Sequence, residues 1–145
     1  MTPLEIREVC DACRTLVLRA AARADGGDAE GLAALFAEDG MLVRPDGIRL
    51  QGREAIRAAY AARPAERLTR HVVSNTLVEI VSPTEAQACS YVLLWSGSLA
   101  DPAGPRGRPA HGLPVLGEFD DRFALTPDGW RILHREARFV LHASH

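Results

Sequence analysis

Apolar positions Leu4, Val9, Cys13, Leu16, Ala20 and Ala24 recur at spacings of three to five residues, the stripe of an amphipathic helix. Its start is marked by Thr2 as a capping hydroxyl, Pro3 at the first helical position and Glu5 three residues after the cap. The stripe runs out at Asp25-Gly26-Gly27-Asp28, a stop followed by a fresh cap. The pattern then predicts a second helix with Leu32, Leu35 and Phe36 on one side, ending near Asp39-Gly40. Met41-Leu42-Val43 predicts a short strand and Pro45-Asp46-Gly47 a turn. Gly52-Arg53-Glu54 opens a third helix with Ile56, Ala59 and Tyr60 inward.

Beyond this point the texture is that of strands. Arg70 to Ile80 is rich in β-branched residues and free of Pro and Gly, and strands are also predicted over Ala86 to Ser96, Val115 to Leu125 and Trp130 to Leu141. Thr126-Pro127-Asp128-Gly129 is a turn joining the last two. Between Gly97 and Pro114 lies a segment dense in Pro and Gly, of a length that usually signifies a functional loop or disorder. Helices segregated ahead of an antiparallel sheet define an α+β fold. With no repeat or linker in view, residues 1–145 are expected to form a single domain.

Composition narrows the chemistry. All 17 basic residues are arginine, so no side-chain amine is present for Schiff-base catalysis, a pyridoxal linkage or a P-loop. A net charge of -2 gives no sign of a nucleic-acid or anionic-membrane partner. No apolar run approaches the roughly 20 residues of a membrane span, and the charged N-terminal stretch has no signal-peptide core; a cytoplasmic location is expected. Cys10 and Cys13 form a C-x-x-C inside a predicted helix, and Cys89 is remote. Small buried helix residues account for that pair better than redox or zinc chemistry, and no cofactor or metal is expected. His142 and His145, spaced by three at the end of the chain, suit at most an adventitious ion.

Several segments resemble a known family. Asp25-Gly26-Gly27-Asp28 followed by Gly31 to Gly40 (GLAALFAEDG) resembles the helical opening of SnoaL-like proteins of the NTF2-like superfamily. Gly52 to Ile56 resembles their third helix, and Arg70 to Asn75, Asp121 to Phe123 and Asp128 to Ile132 resemble their sheet strands. The resemblance spans nearly the whole chain. It implies a cone-shaped α+β fold, with three N-terminal helices on a strongly curved, mainly antiparallel sheet around a pocket. This fold hosts dehydratases, isomerases, hydrolases, dioxygenase β-subunits and plain binding proteins, so it does not fix an activity.

Within the superfamily the chain is most similar to the scytalone dehydratase and hexachlorocyclohexane dehydrochlorinase branch. There an aspartate ending the first long helix orients a histidine base on the first long strand, and Asp25 and His71 stand at those places. The dehydrochlorinase's arginine on the last strand corresponds to Arg135. Four positions depart from the relatives. Ala20 replaces a lysine of the dehydrochlorinase, Ala24 a tyrosine of the dehydratase, and Ser96 falls near the dehydratase's second pocket histidine. Arg44 falls where ketosteroid isomerase has its catalytic aspartate.

A histidine held by a buried aspartate can abstract a proton beside a carbonyl, phenol or halide carbon, because the carboxylate fixes the tautomer and stabilises the imidazolium. The bland alternative has Asp25 capping a chain reversal and His71 as a satisfied wall residue. If His71 faces the cavity, strand alternation sends Val73 and Asn75 the same way, and Asn75 could bind a substrate oxygen or only a neighbouring strand. Arg135 holds an anion if inward and is one more solvated charge if outward. Adjacent strand residues face opposite ways, so Asp120 and Asp121 cannot share a proton, and one of them is expected to pair with an arginine. Tyr60, Tyr91, Trp95, Phe119 and Trp130 supply aromatic surface, and His111 is either a pocket lid or a surface residue.

Two functions follow. The first is a cofactor-free lyase or isomerase acting on a small apolar, aromatic or polyketide-like molecule. The second is a non-catalytic ligand-binding or assembly module, including a partner chain similar to the dioxygenase β-subunit. On either reading, an antiparallel sheet with an exposed apolar face needs a cover, and a homo-oligomer, dimer or trimer, is expected.

Overall fold

The computed structural model describes residues 1–144, so His145 and its suggested pairing with His142 lie outside the described residues. Helix α1 (Pro3–Asp25) begins at the expected capping box: the Thr2 hydroxyl accepts from the Glu5 N–H, and Glu5 accepts from the Thr2 N–H. Its buried stripe is Val9, Cys13, Leu16, Val17, Ala20 and Ala21, while Leu4 stays exposed. Asp28 caps α2 (Ala29–Ala33) by accepting from the Gly31 N–H at 2.8 Å.

The second helix is much shorter than its sequence pattern predicts. Phe36 already belongs to strand β1 (Phe36–Val43), and Asp39-Gly40 falls within that strand. Tertiary pairing decides this. Ile132 donates its N–H to the Leu35 carbonyl, and Phe36 lies opposite Ile132 on the last strand. The next paired position is Met41 opposite His134, so the residues between are looped out as a bulge. Gly40 permits that path, since a β-carbon there would sit 2.9 Å from the Ala37 carbonyl oxygen. Strand β2 (Arg49–Gln51), which the sequence pattern does not announce, closes a hairpin onto β1. Helix α3 (Arg53–Ala61) follows, burying Ile56.

The remaining strands are β3 (Arg67–Ser82), β4 (Glu85–Ser98), β5 (Val115–Thr126) and β6 (Gly129–His142), each close to its predicted span. The six strands form one sheet in the order β2-β1-β6-β5-β4-β3. All neighbours run antiparallel except β1 with β6, which are parallel. Helix α1 lies across the inner face, and Val17, Phe36, Ile56, Phe123 and Ile132 form the fully buried centre. This is the α+β architecture anticipated from the sequence.

The Pro/Gly-rich connection between β4 and β5 is tied down over its length. Leu99 donates to the Glu66 carbonyl, His111 N–H to the Ser96 carbonyl, and the His111 ring meets Asp101 at 2.6 Å. None of its residues reaches the cavity, so His111 is a surface residue and not a lid.

Candidate functional site

Helix α1, α3 and the inner face of the sheet enclose a cavity of about 250 Å³. Its walls are mainly apolar: Ala20, Ala21 and Ala24 from α1, Phe36 and Leu42 from β1, and Val92 and Phe119 from the sheet. Small side chains on α1 leave the room, and this places the departures Ala20 and Ala24 on the cavity wall. The size is near the lower end for small-molecule sites.

Asp25 ends α1, but its carboxylate does not cap the helix; all its hydrogen bonds run to β3. Oδ2 accepts the His71 backbone N–H at 2.8 Å. Oδ1 meets His71 Nδ1 at 2.5 Å and accepts the Thr69 hydroxyl at 2.8 Å. The two side chains are only 12% and 17% exposed, so the pair is shielded from competing water. Burial opposes ionisation of Asp25, but the His71 ring and backbone bonds, the His71 charge and the Thr69 hydroxyl together hold its carboxyl below the ordinary value. An ionised carboxylate is acceptor only, so Nδ1 carries the proton and Nε2 presents its lone pair when the ring is neutral.

The His71 ring centroid lies 6.5 Å from that of Phe119, and the Arg135 guanidinium stacks 4.1 Å over the opposite partner of that contact, the Phe119 ring. Arg135 is thus inward, not a solvated charge. Its Nε and Nη2 donate to both oxygens of Asp121, at 2.6 and 2.9 Å, with the Asp121 side chain fully buried. The expected division of the two acids holds: Asp121 takes Arg135 inside, and the exposed Asp120 takes Arg138 at 2.5 Å.

Tyr60 and Phe119 line the cavity as expected. Asn75 does not. A bulge between Ser74 and Leu77 breaks the alternation, Asn75 takes the left-handed backbone (φ 55°) and is exposed, and Val73 alone keeps the inward course from His71. Tyr91 and Trp95 are also outside. They pair with Ser74 and Arg70 on the outer face and are 46% and 44% exposed. Cys13 is buried, with its thiol pushed up to about 12 by burial, and all three cysteines are free.

Three polar residues of the site, Thr69, Arg63 and Arg67, escape the sequence reading, and a fourth, Arg44, is named there only as a departure. Thr69 sits two residues before His71, so alternation alone would place it on the same face. Arg44, Arg63 and Arg67 line the cavity from loop and strand-end positions that no periodicity covers.

The sequence matches the SnoaL-like domain family over residues 6–136, and the chain belongs to that family. It is similar to a scytalone dehydratase-like protein from Novosphingobium aromaticivorans at 23% identity and TM-score 0.80, with 99% of this chain and 94% of that one covered. A protein of unknown function from Mycobacterium tuberculosis is 26% identical with TM-score 0.77, over 99% of this chain and 79% of that one. A type 2 hexachlorocyclohexane dehydrochlorinase shares the fold at TM-score 0.80 and 14% identity, over 99% and 96% of the two chains. No curated protein matches the sequence. Among the described residues no helix is long and apolar enough to cross a membrane.

Proposed function

We propose that the protein is a lyase or isomerase that works by proton abstraction without a cofactor, on a small, largely apolar molecule of aromatic or polyketide-like type. The observation that carries this reading is the His71–Asp25 hydrogen bond at 2.5 Å, with His71 on the wall of a mainly apolar cavity. His71 Nε2 takes a proton from carbon. The C–H electron pair forms a new double bond, and either a leaving group departs with its own pair, or an adjacent carbonyl takes up the charge as an enolate and Nε2 returns the proton to another of its carbons. Asp25 holds the tautomer and stabilises the imidazolium. The dehydratase-like and dehydrochlorinase neighbours support this choice of chemistry.

The test is a screen of small β-hydroxy carbonyl, hydroxylated aromatic and halogenated compounds for elimination or isomerisation. His71→Ala should lower turnover roughly 10²–10⁴-fold, the usual worth of a general base. Full turnover in that variant rules the role out.

One observation favours the alternative of a binding module: Ala20 and Ala24, which line the cavity, stand where the resemblance implies a lysine or a tyrosine. Under that reading ligands bind and are recovered unchanged. We further infer self-association through the outer face of β3 and β4, where Val72, Tyr91 and Trp95 lie exposed, Val72 diagonal to the other two.

A further inference from the structure

The cavity is apolar in its walls but cationic at one edge. Five arginines border it: Arg44, Arg63, Arg67, Arg135 and Arg138. Two of them are already neutralised, Arg135 by Asp121 and Arg138 by Asp120 and Glu118. Arg44, Arg63 and Arg67 form no ion pair among the described residues. The single carboxylate on the lining, Asp46, accepts the Ile48 backbone N–H in its own turn.

Arg63 is the informative member. Its guanidinium stacks 4.1 Å over the Tyr60 ring, and Nε is buried with no hydrogen-bond partner. A buried donor left unmatched is costly, and a guanidinium stacked on an aromatic face keeps its in-plane N–H fork free for a planar, two-oxygen acceptor. Burial, reinforced by Arg67 and Arg44 against the opposing influence of Tyr60 and Asp25, holds Arg63 below its ordinary value. Arg63 and Arg67 also border the adjoining cleft that contains Asp25 and Thr69, so the cationic edge lies on the side of the dyad.

We infer that the molecule bound in this cavity carries a carboxylate, held by Arg63 with Arg44 and Arg67 while its apolar body lies against Phe119 and the alanines of α1. The inference rests on the cavity being the substrate site, and not on what His71 does there. It specifies the substrate as a small apolar organic acid. Three unpaired arginines around a neutral molecule would be left with mutual repulsion and an unmatched buried donor, and one carboxylate relieves both.

Equilibrium binding of cinnamate and of its neutral isostere cinnamamide tests this, followed by NMR shifts at His71 and Phe119 and by calorimetry. Cinnamate should bind at least roughly ten-fold more tightly, a difference of about 1.4 kcal/mol. Arg63→Met and the exposed-site variant Arg67→Gln should each bring the two affinities together, and added salt should narrow the gap. The same preference is expected in His71→Gln, since binding requires no turnover; loss of activity there with the preference intact separates this inference from the proposed chemistry. Equal affinities, a preference that survives both arginine variants, or no binding of cinnamate at millimolar concentration overturns it.

Discussion

Asp25 is a short side chain at the end of a helix, and its value to the site comes from accepting three hydrogen bonds on β3. Its lowered carboxyl pKa has a stability consequence. The ionised form contributes fully above the ordinary aspartate value of 3.8, and that contribution is lost as pH falls through the lowered native value. Asp25→Asn should therefore be less stable than the native protein at neutral pH and show a shallower decline below about pH 4, as read from urea midpoints across the acid range. Parallel declines would show that Asp25 is not linked to folding. Arg135 and Asp121 make a sharper case, because both are buried and bonded through two N–H donors. Arg135→Ala leaves the Asp121 charge unpaired and should cost about 3–5 kcal/mol in chemical denaturation. The double change Arg135→Met with Asp121→Leu should restore most of that loss.

At the scale of elements, bulges decide which side chains reach the cavity. Asn75 is at the turning point: its positive φ lets β3 slip register, after which Thr76 faces inward and bonds the buried Ser90 hydroxyl at 2.9 Å. Asn75→Gly should leave folding and ligand binding intact, whereas Asn75→Val should cost about 1–2 kcal/mol by forcing a β-branched residue into the left-handed region. A loss of binding in Asn75→Gly at unchanged stability would contradict this backbone role. The same devices mark where sequence reading succeeds and where it stops. The start of α1 is legible because Thr2, Pro3 and Glu5 act on their own neighbours, and Asp25 and His71 are legible as candidates through resemblance. Leu35 and Phe36 mislead because they continue a helical period while β6 claims them as strand. Asn75, Tyr91 and Trp95 are misplaced because alternation is blind to a bulge and does not say which face is inside. Arg63 and Arg67 are invisible because their aim is set by the connection from α3 to β3.

The whole molecule has one face of its sheet filled by helices and core, and another that carries apolar surface into solvent. Val72 (54% exposed), Leu77 (67%), Tyr91 and Trp95 lie on β3 and β4, and β3 is the edge of the sheet. Burying such a surface is worth about 25 cal/mol per Å², which favours self-association. Light scattering on the purified protein should give a dimer or trimer, and Trp95→Arg should shift it toward monomer without loss of helix or sheet signal; a native monomer would refute the oligomer. Within the chain, the sheet's role is to bring the end of α1 and the first half of β3 together beside a small, mainly apolar cavity. That juxtaposition is best tested by long-range ¹H–¹⁵N NMR on the histidine side chains, with the His71 signals identified through His71→Gln. The neutral ring should be found as the Nδ1–H tautomer with Nε2 unprotonated, and Asp25→Asn should disturb that balance. An Nε2–H tautomer, or a spectrum indifferent to Asp25→Asn, would mean that the dyad does not hold His71 as a base.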